Sequence, residues 1–260
     1  MGKDTAMDLI KLGHTVYCAA RRIDEMDELK QAGGHILKLD VSNQEEVRSC
    51  VDRIMLEQGR IDVLWNNAGY GLYGSVEETS LEDARYQFDV NVFGLAFLTQ
   101  LVTPHMRAAQ SGTIINTSSI GGKIYAPMGA WYHASKHAIE GFSDCLRLEL
   151  EPKGIHVVVL EPGAIKTEFP EVMSKQVLGN SGQGPYQDLA KRVANLSLKE
   201  SGKDGAGSPT SVISKTVQAI IASPKPKTRY AVGKFSTTTI MMRRFLSDRM
   251  FDKIIDFMVR

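Results

Sequence analysis

The sequence predicts an α/β protein: a doubly wound parallel sheet in a single domain spanning residues 1–260. Three observations lead there. Short apolar runs alternate with helix-like segments along most of the chain. The runs are continuously apolar rather than alternating, as strands covered by helices on both faces must be. Small and hydroxyl-bearing residues collect just after the runs, where open parallel sheets bind ligands.

The chain opens with Gly2 ahead of an amphipathic helix, with Ala6, Leu9 and Ile10 on one face and Gly13 closing it. Val16 to Ala20 reads as a strand ending in Arg21 and Arg22, and Ile36 to Leu39 as a second ending at Asp40. Ser42 opens a helix with Glu45 placed for a capping box. Ile61 to Trp65 is a strand running into Asn66-Asn67-Ala68-Gly69, and Ser80 caps a long helix that passes Asn91 and ends near Met106. Thr113 to Thr117 is a strand, His133 to Leu150 a helix, and Ile155 to Leu160 a strongly apolar strand.

Beyond residue 169 the character changes. Residues 170–209 are rich in Gly, Ser, Gln and Lys, with one helix near Tyr186 to Leu198, and read as a substrate lid over the core of residues 1–169. Ser208-Pro209 starts another helix, Arg229 to Val232 is a last strand, and residues 210–260 otherwise read as C-terminal helices. Met250, Phe251, Ile254, Ile255 and Met258 form an apolar stripe read as packing against the body or a subunit partner rather than a membrane.

Bulk properties exclude several functions. The balance of 31 basic and 30 acidic side chains gives no net pull toward nucleic acid or an anionic membrane. Cys18, Cys50 and Cys145 are odd in number, widely spaced and without a metal-ligand pattern, so they read as reduced thiols of a cytoplasmic protein. No apolar stretch reaches the roughly 20 residues of a membrane-spanning helix. Met1-Gly2 is not a myristoylation site, because Ala6 stands where Ser or Thr is required.

Asn66 to Gly69 follows a strand, and the small Ala68 and Gly69 let a flat ring or sugar approach the backbone. Asn116-Thr117-Ser118-Ser119 places hydroxyls at the next strand end. Tyr132 and Lys136, four apart on one helix, project from one face. A second copy of that spacing, Tyr230 and Lys234, has no hydroxyl partner nearby and reads as structural. A free phenol has a pKa of about 10. An ammonium alongside favours the phenolate and makes tyrosine a usable acid or base toward a carbonyl oxygen, which a serine hydroxyl opposite it can also hold.

With Asn91 in "DVNVFG" and Pro162-Gly163 in "EPG", these motifs stand in an order and spacing that resemble the short-chain dehydrogenase/reductase family over nearly the whole chain. The resemblance implies a Rossmann-like fold and an NAD(P)-dependent enzyme acting on CH–OH groups. It implies Tyr132 as acid/base and Lys136 lowering its pKa while holding the nicotinamide ribose. Ser119, rather than Ser118, orients the substrate, and Asn91 holds a proton relay. Pro162 and Gly163 shield the nicotinamide, Ile165 and Thr167 touch its carboxamide or phosphate side, Asp40 and Val41 the adenine, and Asn67, Ala68 and Gly69 a ribose.

Gly2 matches the last glycine of the family's phosphate-binding turn. The resemblance thus implies that the family's first strand and most of its glycine-rich loop are absent from this sequence, with Met1 internal to the motif. The strand that usually ends in an acidic residue in NAD-preferring enzymes ends here in Ala20 and Arg21, so NADP(H) is expected over NAD(H). "GYGLYGSVEE" and the Arg-, Met- and Phe-rich tail resemble the 17β-hydroxysteroid and retinol dehydrogenase branch. Tyr70, Leu72, Tyr73, Phe169, Val172 and Met173 would then line a cleft for a bulky apolar ketone or secondary alcohol. The alternative is a non-catalytic nucleotide-binding scaffold. The family precedent implies a homodimer or homotetramer.

Overall fold

The computed structural model describes residues 1–202 and 204–259. The chain begins in helix α1 (Gly2–Lys11), followed by strand β1 (Tyr17–Ala20), the short helix α2 (Asp27–Gln31) and strand β2 (His35–Lys38). Gly13 takes a φ of +85°, which lets the chain turn back sharply after α1. β1 and β2 pair in parallel, Tyr17 opposite His35.

Helix α3 (Gln44–Gln58) leads to β3 (Val63–Asn66). Its cap is Asn43, whose side chain accepts from the amides of Glu45 and Glu46, and not Ser42 as the capping-box pattern suggested. Ser42 is held elsewhere: its amide and hydroxyl both donate to Asp40 Oδ1, at 3.0 and 2.6 Å. Ser80 does cap the next helix, accepting from the Asp83 amide at 3.0 Å. That helical run is α4 (Leu81–Phe88), a π-helical segment (Asp89–Gly94) and α5 (Leu95–Ala109) in succession.

Strand β4 (Gly112–Thr117), helix α6 (Ala130–Leu150) and strand β5 (Ile155–Pro162) follow. Residues 170–209 hold two helices rather than one, α7 (Phe169–Ser181) and α8 (Gln187–Ser201). α7 has only a weak apolar periodicity and carries Gly179 and Asn180; it is held by burying Met173 and Val177. Helix α9 (Ser211–Ala222) begins three residues later than the Ser208-Pro209 signal, because Ser208 is used in a bridge to Ile165. Strand β6 (Arg229–Val232) and helices α10 (Ser236–Phe245) and α11 (Asp248–Val259) complete the chain.

β3 to β6 form one parallel sheet in the order β3-β4-β5-β6, and β1-β2 a second; no strand among the described residues joins β1 to β3. Along β4 and β5 successive residues enter opposite cores, as the period of two requires. Ile115, Val158 and Leu160 pack with Leu9 of α1 and Ile213, Val217 and Ile220 of α9. Ile114 and Val157 pack with Val51 of α3, Val102 and Met106 of α5 and Leu150 of α6. Helices therefore cover both faces, and the carboxyl ends of the strands are left to form a site.

Candidate active site

α6 presents Tyr132, Lys136 and Glu140 at intervals of four residues, and all three are buried. The Lys136 ammonium donates to the Thr117 carbonyl at the end of β4 at 2.9 Å and lies 5.9 Å from the Tyr132 ring centroid. Ser119 stands at the head of a short 3-10 turn, where its hydroxyl accepts from the Gly121 amide at 3.1 Å and reaches the Pro162 carbonyl at 3.5 Å. Gly121 packs against Tyr132: a Cβ there would lie 3.1 Å from the ring edge. Ser118 instead points toward Gly122 and Glu140, so Ser119 is the serine on the tyrosine's side.

Burial dominates the titration of both groups. It raises the Tyr132 phenol, against which the Ser119 hydrogen bond pulls down. Burial lowers Lys136 to about 8, with Glu140 pulling the other way. A neutral phenol beside a serine hydroxyl is a proton donor.

Asn91 lies in the π-helical segment, a widened turn that is often found at functional sites. Its amide is held on both sides by the backbone of Tyr70, accepting from N–H at 3.0 Å and donating to C=O at 2.9 Å, and it also donates to Ser135 Oγ at 3.1 Å. Gly69 completes this corner: a Cβ there would sit 3.1 Å from Asn91 Oδ1 and 3.7 Å from Lys136 Nζ. Asn91, Gly69 and Lys136 thus meet at one point.

The neighbouring surface fits a dinucleotide. Asn67 Oδ1 is buried without a hydrogen-bond partner, an acceptor suited to a ribose hydroxyl. Its amide nitrogen would lie 2.9 Å from a Cβ on Gly2, so a side chain at Gly2 would close the space beside it. Ala68 and Gly69 are exposed in the same stretch. The Arg21 guanidinium is exposed and donates to Tyr86 Oη at 3.0 Å, whereas Arg22 is paired with Glu25 at 2.7 Å. Burial works against the Asp40 carboxylate, but its two bonds from Ser42 outweigh that and, with Arg21 adding, hold its pKa below the usual range. The Val41 carbonyl lies against Gly94. Gly163 donates its amide to the Val232 carbonyl at 2.8 Å, which fixes the turn after Pro162. Thr167 Oγ1 accepts from the Phe169 amide at 3.3 Å. The Ile165 side chain is buried in the core with Ile213 and Val217.

A family model for short chain dehydrogenases matches residues 1–177. The chain belongs to the short-chain dehydrogenase family. Similar relatives include a 3-ketodihydrosphingosine reductase of Bacteroides thetaiotaomicron, 36% identical over 233 residues covering 89% of this chain and 83% of that protein. An NADPH-dependent 3-dehydrocapnine reductase of Ornithobacterium rhinotracheale is 34% identical over 228 residues, covering 85% and 78%. The crystal structure of a short-chain dehydrogenase from Streptomyces avermitilis superposes with a TM-score of 0.80 at 27% identity, covering 98% of this chain and 92% of that one. The protein is an NAD(P)-dependent oxidoreductase with a Rossmann-like fold.

In this short-chain dehydrogenase, Tyr132 is enclosed by an apolar wall. Tyr73 and Phe169 lie 5.4 and 5.6 Å from its ring centroid, and Met173 and Val177 of α7 belong to the same buried cluster. Leu72 is buried, Tyr70 packs at 5.9 Å on Tyr86, and Val172 turns outward at 56% exposure, so Val172 leaves the expected cleft lining. Tyr230 accepts from the Lys227 amide at 3.1 Å and Lys234 is exposed, which makes the second Tyr–Lys pair structural.

Two features escaped the sequence reading. His133 accepts from the Ala126 amide at 3.1 Å through Nε2 while Nδ1 meets the Gly121 carbonyl at 2.9 Å, pinning the loop beside Tyr132. Glu140 and Glu161 are buried together, with Lys123 at 2.7 Å and Arg229 at 3.2 Å from Glu140 and at 3.9 and 3.5 Å from Glu161. Local spacing announces neither: His133 closes an irregular loop onto residues 7 and 12 positions earlier, and Glu140 and Glu161 come from different elements.

Proposed function

We propose that the protein is an NADPH-dependent reductase of a ketone carried on a bulky or long apolar molecule. The observation that carries this reading is the convergence of Ser119, Tyr132 and Lys136 beneath an apolar wall. Gly2, Arg21, Asn67 and Gly69 would hold the dinucleotide, with Arg21 toward a 2′-phosphate. A reduced nicotinamide bound there supplies the hydride. Ser119 donates a hydrogen bond to the substrate carbonyl as negative charge gathers on its oxygen. Tyr132 gives its phenolic proton to that oxygen, leaving an alcohol and a phenolate. Lys136, one helical turn on, balances the phenolate, with Asn91, held by the backbone of Tyr70, in the same corner beside Gly69.

Tyr73, Phe169, Met173 and Val177 favour an apolar substrate. The two relatives' names both specify reduction of a 3-oxo group, which favours a long-chain ketone; the flat aromatic faces of Tyr73 and Phe169 would also take a steroid or retinoid. Residues 170–209 act as the lid in this reading. Pairing of two copies through the α5 and α6 region is supported by Phe93 and Leu148, exposed at 60% and 65%. Three unpaired thiols fit a reducing cytoplasm. A scaffold would have no use for Asn91, Ser119, Tyr132 and Lys136 in one site.

The test is NADPH oxidation with long-chain 3-ketones, steroid ketones and retinal, run on the parent and on Arg21→Asp. Turnover of an apolar ketone is expected, and Arg21→Asp should shift preference toward NADH by about tenfold or more. No turnover of any apolar ketone would contradict the substrate reading. An unchanged NADPH-to-NADH ratio would contradict the cofactor assignment.

A further inference from the structure

The apolar stripe of α11 is only half used by the fold. Phe251 and Val259 are buried and Ile255 packs on the cluster around Tyr132. Beside them Met250, Ile254 and Phe257 recur at i, i+4 and i+7 and form a second line along the helix. Met250 is 54% exposed and Phe257 80%. On the preceding helix, Met241 and Phe245, four apart, are also exposed, Phe245 at 73%.

The charges around this line are sorted. By helical periodicity Lys253 and then Arg249 border it, while Asp252 and Asp256 lie beyond them, next to the buried face. Asp252 is engaged there by the Tyr125 hydroxyl at 2.9 Å, and Asp248 takes Arg243 at 2.8 Å. Arg244, Arg249 and Lys253 have no acidic partner among the described residues. Residues 225–253 carry eight Lys or Arg against two Asp or Glu in a chain of net charge +1.

We propose that α10 and α11 form a surface that docks on an anionic lipid bilayer, with Met250 and Phe257 entering the headgroup layer and Arg249 and Lys253 resting on it. Exposed apolar side chains flanked by unpaired cations suit that boundary, where burial of the first adds to attraction of the second. A second copy of this chain suits it less. A two-fold contact through the same line would bring Arg249 and Lys253 of each copy beside their counterparts. The proposal concerns binding and stands apart from the substrate reading.

The full chain is sedimented with vesicles of phosphatidylcholine alone and of phosphatidylcholine mixed with phosphatidylglycerol. Binding to the anionic vesicles is expected to exceed that to neutral ones by about tenfold or more, and to weaken as salt is raised. Arg249→Glu with Lys253→Glu should abolish it, as should Met250→Ser with Phe257→Ser. All four side chains project from the surface, so each variant keeps the parent's melting temperature and its NADPH oxidation with a water-soluble ketone. Equal sedimentation with both vesicle types would overturn the proposal, as would undiminished binding by the charge-reversed variant. So would a dimer broken by Met250→Ser with Phe257→Ser in a protein that ignores vesicles.

Discussion

Glu161 sits immediately before Pro162, and its carboxyl is pushed up to about 7, first by burial and then by the charge of Glu140. Lys123 and Arg229 would oppose this, but both lie closer to Glu140 and are largely spent on it. Because the folded state holds the Glu161 proton more tightly than the unfolded chain does, stability falls as pH rises from 4.5 to about 7. Glu161→Gln should therefore raise the melting temperature at pH values above that window and leave it unchanged below it. A melting series across pH checks this; an equal gain at every pH would point to packing instead. The same logic applies to Lys136 with the sign of a base. Its pKa of about 8 lies below its ordinary 10.5, so its contribution to stability rises with pH through that window and its burial is unfavourable at neutrality. A lysine kept there at such a cost is understandable as a functional residue.

Among the elements, those with strong internal signals were legible. The four-residue spacing of Tyr132 and Lys136 gave one face of α6, and the continuous apolar run gave β5. Ser80 was readable as a cap because it stands directly before the helix it serves. Ser42 misled because two adjacent polar residues compete for one helix end, and the Asp40 carboxylate decides the contest by taking the Ser42 hydroxyl. Asn43→Ala should thus cost about 1 kcal/mol by chemical denaturation, and Ser42→Ala should leave the α3 cap intact. A larger loss at Ser42 than at Asn43 would reverse that assignment. α7 was unreadable for a different reason: its helicity comes from Met173 and Val177 meeting Tyr73 and Tyr132, partners that lie more than 40 residues away in sequence. The π-helical turn at Asn91 is likewise invisible locally, because "DVNVFG" is compatible with an unbroken helix.

For the whole molecule, parallel order and helices on both faces followed from alternation of element types, and the family resemblance carried the motif positions. The division into a two-stranded and a four-stranded sheet, and the way α3 packs against the core containing β4 and β5, needed the structure. So did the turning of Val172 out of the expected cleft lining. What the fold accomplishes is to bring four distant segments together. The ends of β3 and β4, the turn after β5 and the face of α6 meet so that a phenol, a hydroxyl and an ammonium converge under an apolar cover. The claim on which this rests is proton donation by Tyr132. It is tested most directly by kcat/KM for NADPH-dependent ketone reduction in Tyr132→Phe, with circular dichroism confirming the fold. A fall of about 10²–10⁴-fold is expected. A folded variant that reduces the ketone as fast as the parent would contradict it.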